Sequence, residues 1–247
     1  MSDFLIAIPL LMLTAFAHGA FGFGFPLFST PLLTLGIDIR TAILMTLVPT
    51  IVINTVSVLS EKEWKEAIRQ FWLIPLFTII GSYCGTQILF AFDPDLSRIL
   101  LALMVIGYLL SDHIRGVEKE RIVPLWGLAL FGFIIGVSAG VVNVFAPLII
   151  IFALETKMKP ELMVTTFNIS FLTSKSGQIA GFVSQGAFHG PALFFSLWML
   201  PLIIISLWIG IRLRKRLDMD AYKKLLRIVL WVVAIMLIGQ SSLAMLL

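Results

Sequence analysis

The chain has 247 residues, of which 59% are hydrophobic and 13% charged, with a formal charge of +4 and a mean hydropathy of +1.03. A soluble domain carries about 25% charged residues, so this composition excludes one and defines an all-α polytopic membrane protein whose partner is the lipid bilayer. The basic residues sit in short loops between apolar runs, an orientation signal rather than a phosphate-tracking face, which excludes nucleic acid as a partner. One cysteine, Cys84, and three histidines exclude a disulfide framework and a Cys/His metal cluster. No cofactor and no metal are expected.

In chain order, Phe4–His18 is apolar, and the N-terminus lacks the basic region and small-residue cleavage pattern of a signal peptide. The stretch Gly19-Ala-Phe-Gly22-Phe-Gly24-Phe-Pro26 follows, which a helix would not cross undisturbed. Leu27–Leu35 is a short apolar piece, Gly36–Thr41 a turn, and Ala42–Leu59 a spanning helix holding Thr46, Thr50 and Asn54. Glu61–Gln70 is charged and amphipathic and belongs at the interface. Phe71–Phe92 and Leu96–Leu110 span, and 112–123 is a charged linker. Leu125–Gly140 is apolar and glycine-rich. Asn143–Leu154 is a short helix interrupted by Pro147, with Asn143 as a suitable N-cap. Leu162–Ser184 is a helix studded with polar side chains. Pro191–Ile211 spans, 212–224 is strongly basic, and Leu225–Leu247 spans to the end.

The halves repeat. Phe71-Trp72 with Pro75 matches Leu197-Trp198 with Pro201, and Ala102–Gly107 matches Ala234–Gly239. Gly24–Pro31 sets against Gly140–Pro147, after which Thr46 aligns with Thr166 and Asn54 with Ser174. The shared order predicts two repeats, 1–111 and 124–247, joined by a cytoplasmic linker over 112–123. If each broken element returns to its own side, nearly all basic loops fall on one face, as the positive-inside rule requires. The repeats are then inverted, each a re-entrant helix pair plus three transmembrane helices, with both termini outside.

Broken helices suit an anion, because their N-termini present free N–H groups and partial positive charge. Lys175 lies near the middle of Leu162–Ser184, where a cation costs about 2.5–3.5 kcal/mol on insertion scales. Every Asp and Glu falls in or beside a predicted loop, so Lys175 lacks a counter-ion at its depth and is the candidate substrate ligand. Thr46, Thr50 and Asn54 would complete a pocket with Asn168, Ser174 and Gln178, while Asn143, Gly24 and Gly140 belong to the breaks. A hydroxyl bonded to its own helix is the commoner arrangement for each. His18 is the one intramembrane side chain titrating near neutrality and is the candidate for proton coupling. A nucleophile–base pair is not apparent, so an enzyme is not expected.

Two glycine-rich breaks followed by proline, Gly22-Phe-Gly24-Phe-Pro26-Leu-Phe-Ser-Thr-Pro31 and Gly136-Val-Ser-Ala-Gly140-Val-Val-Asn143-Val-Phe-Ala-Pro147, each precede a helix bearing a threonine, Thr46 or Thr166. This pattern resembles the TauE/SafE-type sulfite and organosulfonate exporter family over essentially the whole chain. Phe25, Pro26, Val141 and Val142 stand where that family carries consecutive glycines. The resemblance implies export of a small sulfur-containing anion, such as sulfite, sulfoacetate or a related sulfonate, from the bacterial inner membrane. A small-anion channel, or an uptake carrier for a sulfur or carboxylate anion, is the alternative.

Overall fold

A computed structural model describes residues 2–60, 63–92 and 123–214, and every regular element in them is a helix. The helices are α1 (Ser2–Phe21), α2 (Phe25–Leu33), α3 (Ile39–Ser60), α4 (Trp64–Phe71), α5 (Leu73–Ala91), α6 (Leu125–Val142), α7 (Ala146–Glu155), α8 (Pro160–Ser184) and α9 (Pro191–Arg214). Helices α3, α5, α6 and α9 are each long and apolar enough to cross a membrane. The expected spans at 96–110 and 225–247, and nearly all of the linker, lie outside the described residues. Helix α4 matches the expected amphipathic segment, with Ala67 buried and Lys65, Glu66 and Arg69 exposed.

Both breaks exist: the first falls within the expected Gly19–Pro26 stretch but is shorter, and the second lies later than the sequence expectation. Helix α1 continues through Gly19 to Phe21, and the Gly22 N–H closes it on the His18 carbonyl at 2.7 Å. Gly22 and Gly24 then take φ of +84° and +106°, which side chains resist. Pro26 sits in the first turn of α2, where its missing N–H costs nothing. In the second half, α6 runs past Gly140 to Val142 and ends on Asn143, at φ +60°. The Asn143 N–H bonds the Ala139 carbonyl at 2.9 Å, and the Phe145 carbonyl begins α7 by accepting from Leu148 and Ile149. Asn143 therefore terminates α6 in the left-handed conformation that asparagine tolerates; it is not the N-cap of α7. The breaks correspond as Gly22–Gly24 and Asn143–Phe145, a register different from Gly24 against Gly140.

Each broken element doubles back. Val123 and Leu128, at the start of α6, share a cleft with Phe152 and Thr156, at the end of α7. Ala7 and Leu11 of α1 share a core cluster with Leu33 of α2 and Ile39 of α3. The first pair returns to the side where α3 begins. The second returns to the side of α4, beyond the end of α3. This arrangement is compatible with inverted repeats.

The two halves are joined by exchanged pairings: α1 packs on α9, and α6 packs on α5. Small residues allow both, because the backbones touch. Gly19 faces Gly210, and Gly81 and Gly85 face Gly136 and Gly140. A Cβ on Gly140 would lie 2.6 Å from the Thr86 backbone nitrogen and 2.7 Å from the Gly85 carbonyl carbon. Backbone cannot yield as a flexible side chain does, and overpacking costs about 1–3 kcal/mol. Gly140→Val is therefore expected to lower the melting temperature by several degrees in detergent; an unchanged melting temperature would contradict this packing role.

Candidate anion site

Helix α8 is polar because much of it is inside. Thr165, Asn168, Ser170, Ser174, Lys175 and Gln178 are all fully buried. Lys175 and Gln178, one turn apart, lie on the same face of the helix. Lys175 Nζ donates to Asn143 Oδ1 and, at 2.6 Å, to Gln178 Oε1. The Gln178 amide donates to the Ala139 carbonyl at 2.6 Å and reaches Asn143 Oδ1 at 3.3 Å. Asn143 Nδ2 donates to the hydroxyls of Thr30 and Thr46, at 2.8 and 3.0 Å. The ammonium fixes the orientation of both amides, oxygens inward. One network thus ties the second break to α2, α3, α6 and α8. The bonded oxygens are neutral, so the lysine's charge is solvated by dipoles and not cancelled by them.

The remaining expected residues divide. Thr50 donates to the Thr46 carbonyl, Asn54 to the Thr50 carbonyl and Ser174 to the Phe171 carbonyl, each within its own helix. They are buried but do not join the lysine network. Asn168 serves the other break, donating to the Gly22 carbonyl at 2.8 Å as well as to Val164 in its own helix. Asn54 Oδ1 and Asn168 Oδ1, both acceptors, and the Ser170 hydroxyl are buried without a partner among the described residues, each costing about 1–3 kcal/mol unless a partner reaches it. Gly24 forms the turn into α2, and Gly140 packs against α5, away from the lysine's bonds. His18 is buried and bridges the first break: its Nδ1 accepts the Phe25 N–H at 3.2 Å, and its Nε2 lies 2.9 Å from Ser57 Oγ. Because Nδ1 accepts, the neutral ring carries its proton on Nε2 and donates it to Ser57.

Helix position exposes a correspondence that sequence alignment misses by one residue. Asn54 and Lys175 are both the sixteenth residue of their helices, and Ser57 and Gln178 both the nineteenth. His18 and Ala139 each stand four residues before a break residue, Gly22 or Asn143. Asn54 is thus the first-half counterpart of Lys175 rather than of Ser174.

Two features escaped the sequence reading. Thr30 was visible only as part of the glycine–proline motif. The second feature is an aromatic column: Phe23 stacks on Phe167 with centroids 4.8 Å apart, Phe167 lies 6.4 Å from Phe171, and Phe171 stacks on Phe145 at 3.9 Å. The column carries contact from one break to the other along α8. Its signal was the one-turn spacing of Phe167 and Phe171.

A buried cation at the meeting of two broken helices, inside a bundle of membrane-length helices, is the architecture of a membrane transporter. The sequence model of one family, described as Sulfite exporter TauE/SafE, matches residues 7–237, and the chain belongs to that family. It is accordingly a membrane transporter of the sulfite and sulfur-anion class. No curated protein matches the chain, and no solved structure does.

Asn143 is at once a left-handed backbone position and a hydrogen-bonding hub, and two substitutions separate these roles. Asn143→Gly keeps the backbone and loses the side-chain bonds; Asn143→Ala loses them and adds about 1–2 kcal/mol of left-handed strain. Both variants should melt below wild type, with the alanine form lower. An alanine variant as stable as the glycine one would contradict the strained geometry.

Proposed function

We propose that the protein exports a small sulfur-containing anion, sulfite, sulfoacetate or a related organosulfonate, across the bacterial inner membrane by alternating access, and that Lys175 holds the anion in transit. One observation carries the reading: Lys175 is 0% exposed and its ammonium is bonded to neutral amide oxygens. Removing a charge from water is expensive unless an opposite charge meets it. An arriving anion would meet this ammonium with a full charge where the partners among the described residues supply only dipoles. The amides of Asn143 and Gln178 can turn their N–H groups toward the same ligand, and the hydroxyls of Thr30 and Thr46 back them. Thr50, Asn54, Asn168 and Ser174 would line the path around that centre, and Gly24 and Gly140 would shape it.

The proposed division is a repeat over 1–111, a cytoplasmic linker over 112–123 and a second repeat over 124–247, inverted relative to the first, with both termini outside. The side of α4 then faces the cytoplasm, and the turn at 185–190 faces outward. Outward passage of an anion across an inside-negative membrane is favoured by about 2.3 kcal/mol per charge per 100 mV, which suffices to drive export without a coupled proton. His18 is a weaker candidate for coupling, because a proton on Nδ1 would displace the Phe25 N–H bond.

Lys175→Ala should abolish sulfite binding in calorimetry while the protein still elutes as a single folded species, and Lys175→Arg should retain part of it. Wild-type affinity in the alanine variant would overturn the role of the lysine. In proteoliposomes, flux should saturate with sulfite and be competed by sulfoacetate; unsaturated conductance would instead indicate a channel.

Orientation has a separate check in a Cys84→Ser background. A membrane-impermeant maleimide should label His189→Cys in intact cells and Lys65→Cys only after the inner membrane is opened. The reverse pattern would invert the topology.

A further inference from the structure

We infer that the Lys175 site opens on the side opposite α4 through a door of two aromatic rings, Phe182 of α8 and Phe90 of α5, and that Arg40 holds this door in position. The inference rests on the export reading for what passes the door, though not for the door itself. Phe171, Lys175, Gln178 and Phe182 follow one another along a single face of α8, at helical spacing. Phe182 stands about 10 Å beyond Lys175 along the helix axis. It is 1% exposed, and it lines a cleft of about 500 Å³ between the start of α3, the end of α5 and the turn from α8 to α9. Its ring meets Phe90 edge-on, with centroids 5.2 Å apart and planes at 82°. No side chain of the Lys175 network lines the cleft, and Phe182 is the next residue on the lysine's face that does.

Toward α4 the same face is filled more deeply. Phe171, one turn before the lysine, stacks on Phe145, and Phe167 and Phe23 continue the column. On that side α8 reaches a cleft only with Glu161 and Leu162, about 20 Å before Lys175 along the axis. The thinner barrier is therefore the Phe90–Phe182 pair.

The helices beside the pair are locked together, so passage requires the rings to turn. A Cβ on Gly181 would stand 2.6 Å from the Thr86 Cβ, which seats α8 on α5 one residue before Phe182. Just beyond, the Gln87 amide donates to the Ser184 hydroxyl at 3.0 Å. Room for a turning ring lies under the next turn, where a Cβ on Gly186, itself a cleft residue, would meet nothing within 4 Å. Arg40 sets the resting position of Phe90. Its guanidinium lies 5.1 Å from the centre of that ring, and it donates to the Leu89 carbonyl at 3.2 and 3.3 Å and to the Phe92 carbonyl at 3.0 Å. The cation thus clamps the last turn of α5 and covers a face of Phe90. Asp38 also lines the cleft, its Oδ1 accepting the Thr41 N–H. With both signs of charge on its wall, the cleft is a passage rather than an anion trap.

Access is read at Ser174→Cys, a fully buried position one turn before Gln178, in a Cys84→Ser background of detergent-solubilised full-length protein. Modification is timed with methyl methanethiosulfonate, which is small and uncharged. Phe182→Ala should speed it by about tenfold or more by raising the open population. If that variant fails to fold, Phe90→Ala, cut at a half-buried position, carries the same expectation. Arg40→Gln should give a smaller acceleration, and Arg40→Lys, which keeps a cation beside the ring, less still. Phe152→Ala, at the cleft on the side of α4, should leave the rate unchanged. A rate unmoved by Phe182→Ala and Phe90→Ala would overturn the door, and so would an equal acceleration by Phe152→Ala. Arg40→Gln at the wild-type rate would remove Arg40 from it. Millimolar sulfoacetate should slow modification in the Phe182→Ala form. Acceleration that sulfoacetate does not slow would keep the door and contradict the export reading's placement of the anion.

Discussion

Lys175 Nζ is held by the side chains of Asn143 and Gln178, and much of the structure follows from the need to hold it. Asn143 can reach the ammonium because α6 stops there in a left-handed turn. That turn is held in place by Thr30 and Thr46, which bring α2 and α3 against the second break. Gln178 anchors to the Ala139 carbonyl and so fixes α8 to the last turn of α6. A buried cation solvated by dipoles is costly, and each of these bonds offsets part of that cost. That residual imbalance is the basis on which Lys175 is proposed to hold a passing anion.

The two breaks are the second requirement, and each is secured from outside its own helix pair. Asn168 of α8 holds the Gly22 carbonyl, and Thr46 of α3 holds the Asn143 amide. Phe23 and Phe145 stack on α8 from either side of the same aromatic column. Irregular backbone at membrane depth survives only where protein or a wet cavity satisfies it, and here protein groups bond both breaks. The glycine contacts between α1 and α9, and between α5 and α6, keep the halves close enough for these cross-connections to form.

Much of this was legible in the sequence, for physical reasons. A lysine in an apolar span with no acid at its depth announces itself through desolvation cost, and Asn168, Gln178 and Asn143 lie within the same polar or glycine-interrupted stretches. The membrane class follows from composition, and the family follows from the paired glycine–proline breaks. The register of the breaks was not legible. Glycine in Gly140 signals helix packing as readily as chain reversal, and asparagine at φ +60° is a minority use that no spacing rule selects. Asn143 and Gln178 were among the candidate residues, but their bonds to Lys175 were not read from the sequence: neutral amides can satisfy an ammonium, and a census of charges alone does not count them.

The chain belongs to a family of sulfur-anion transporters, and its buried ammonium is held by two neutral amides where the second break meets α8. The most direct measurement is an anomalous-diffraction map of crystals grown with selenite, the heavier counterpart of sulfite. The account predicts a selenium peak within hydrogen-bonding distance of Lys175 Nζ, with the Asn143 or Gln178 amide turned to donate. Selenium peaks elsewhere, with Lys175 still held by both amide oxygens, would contradict it.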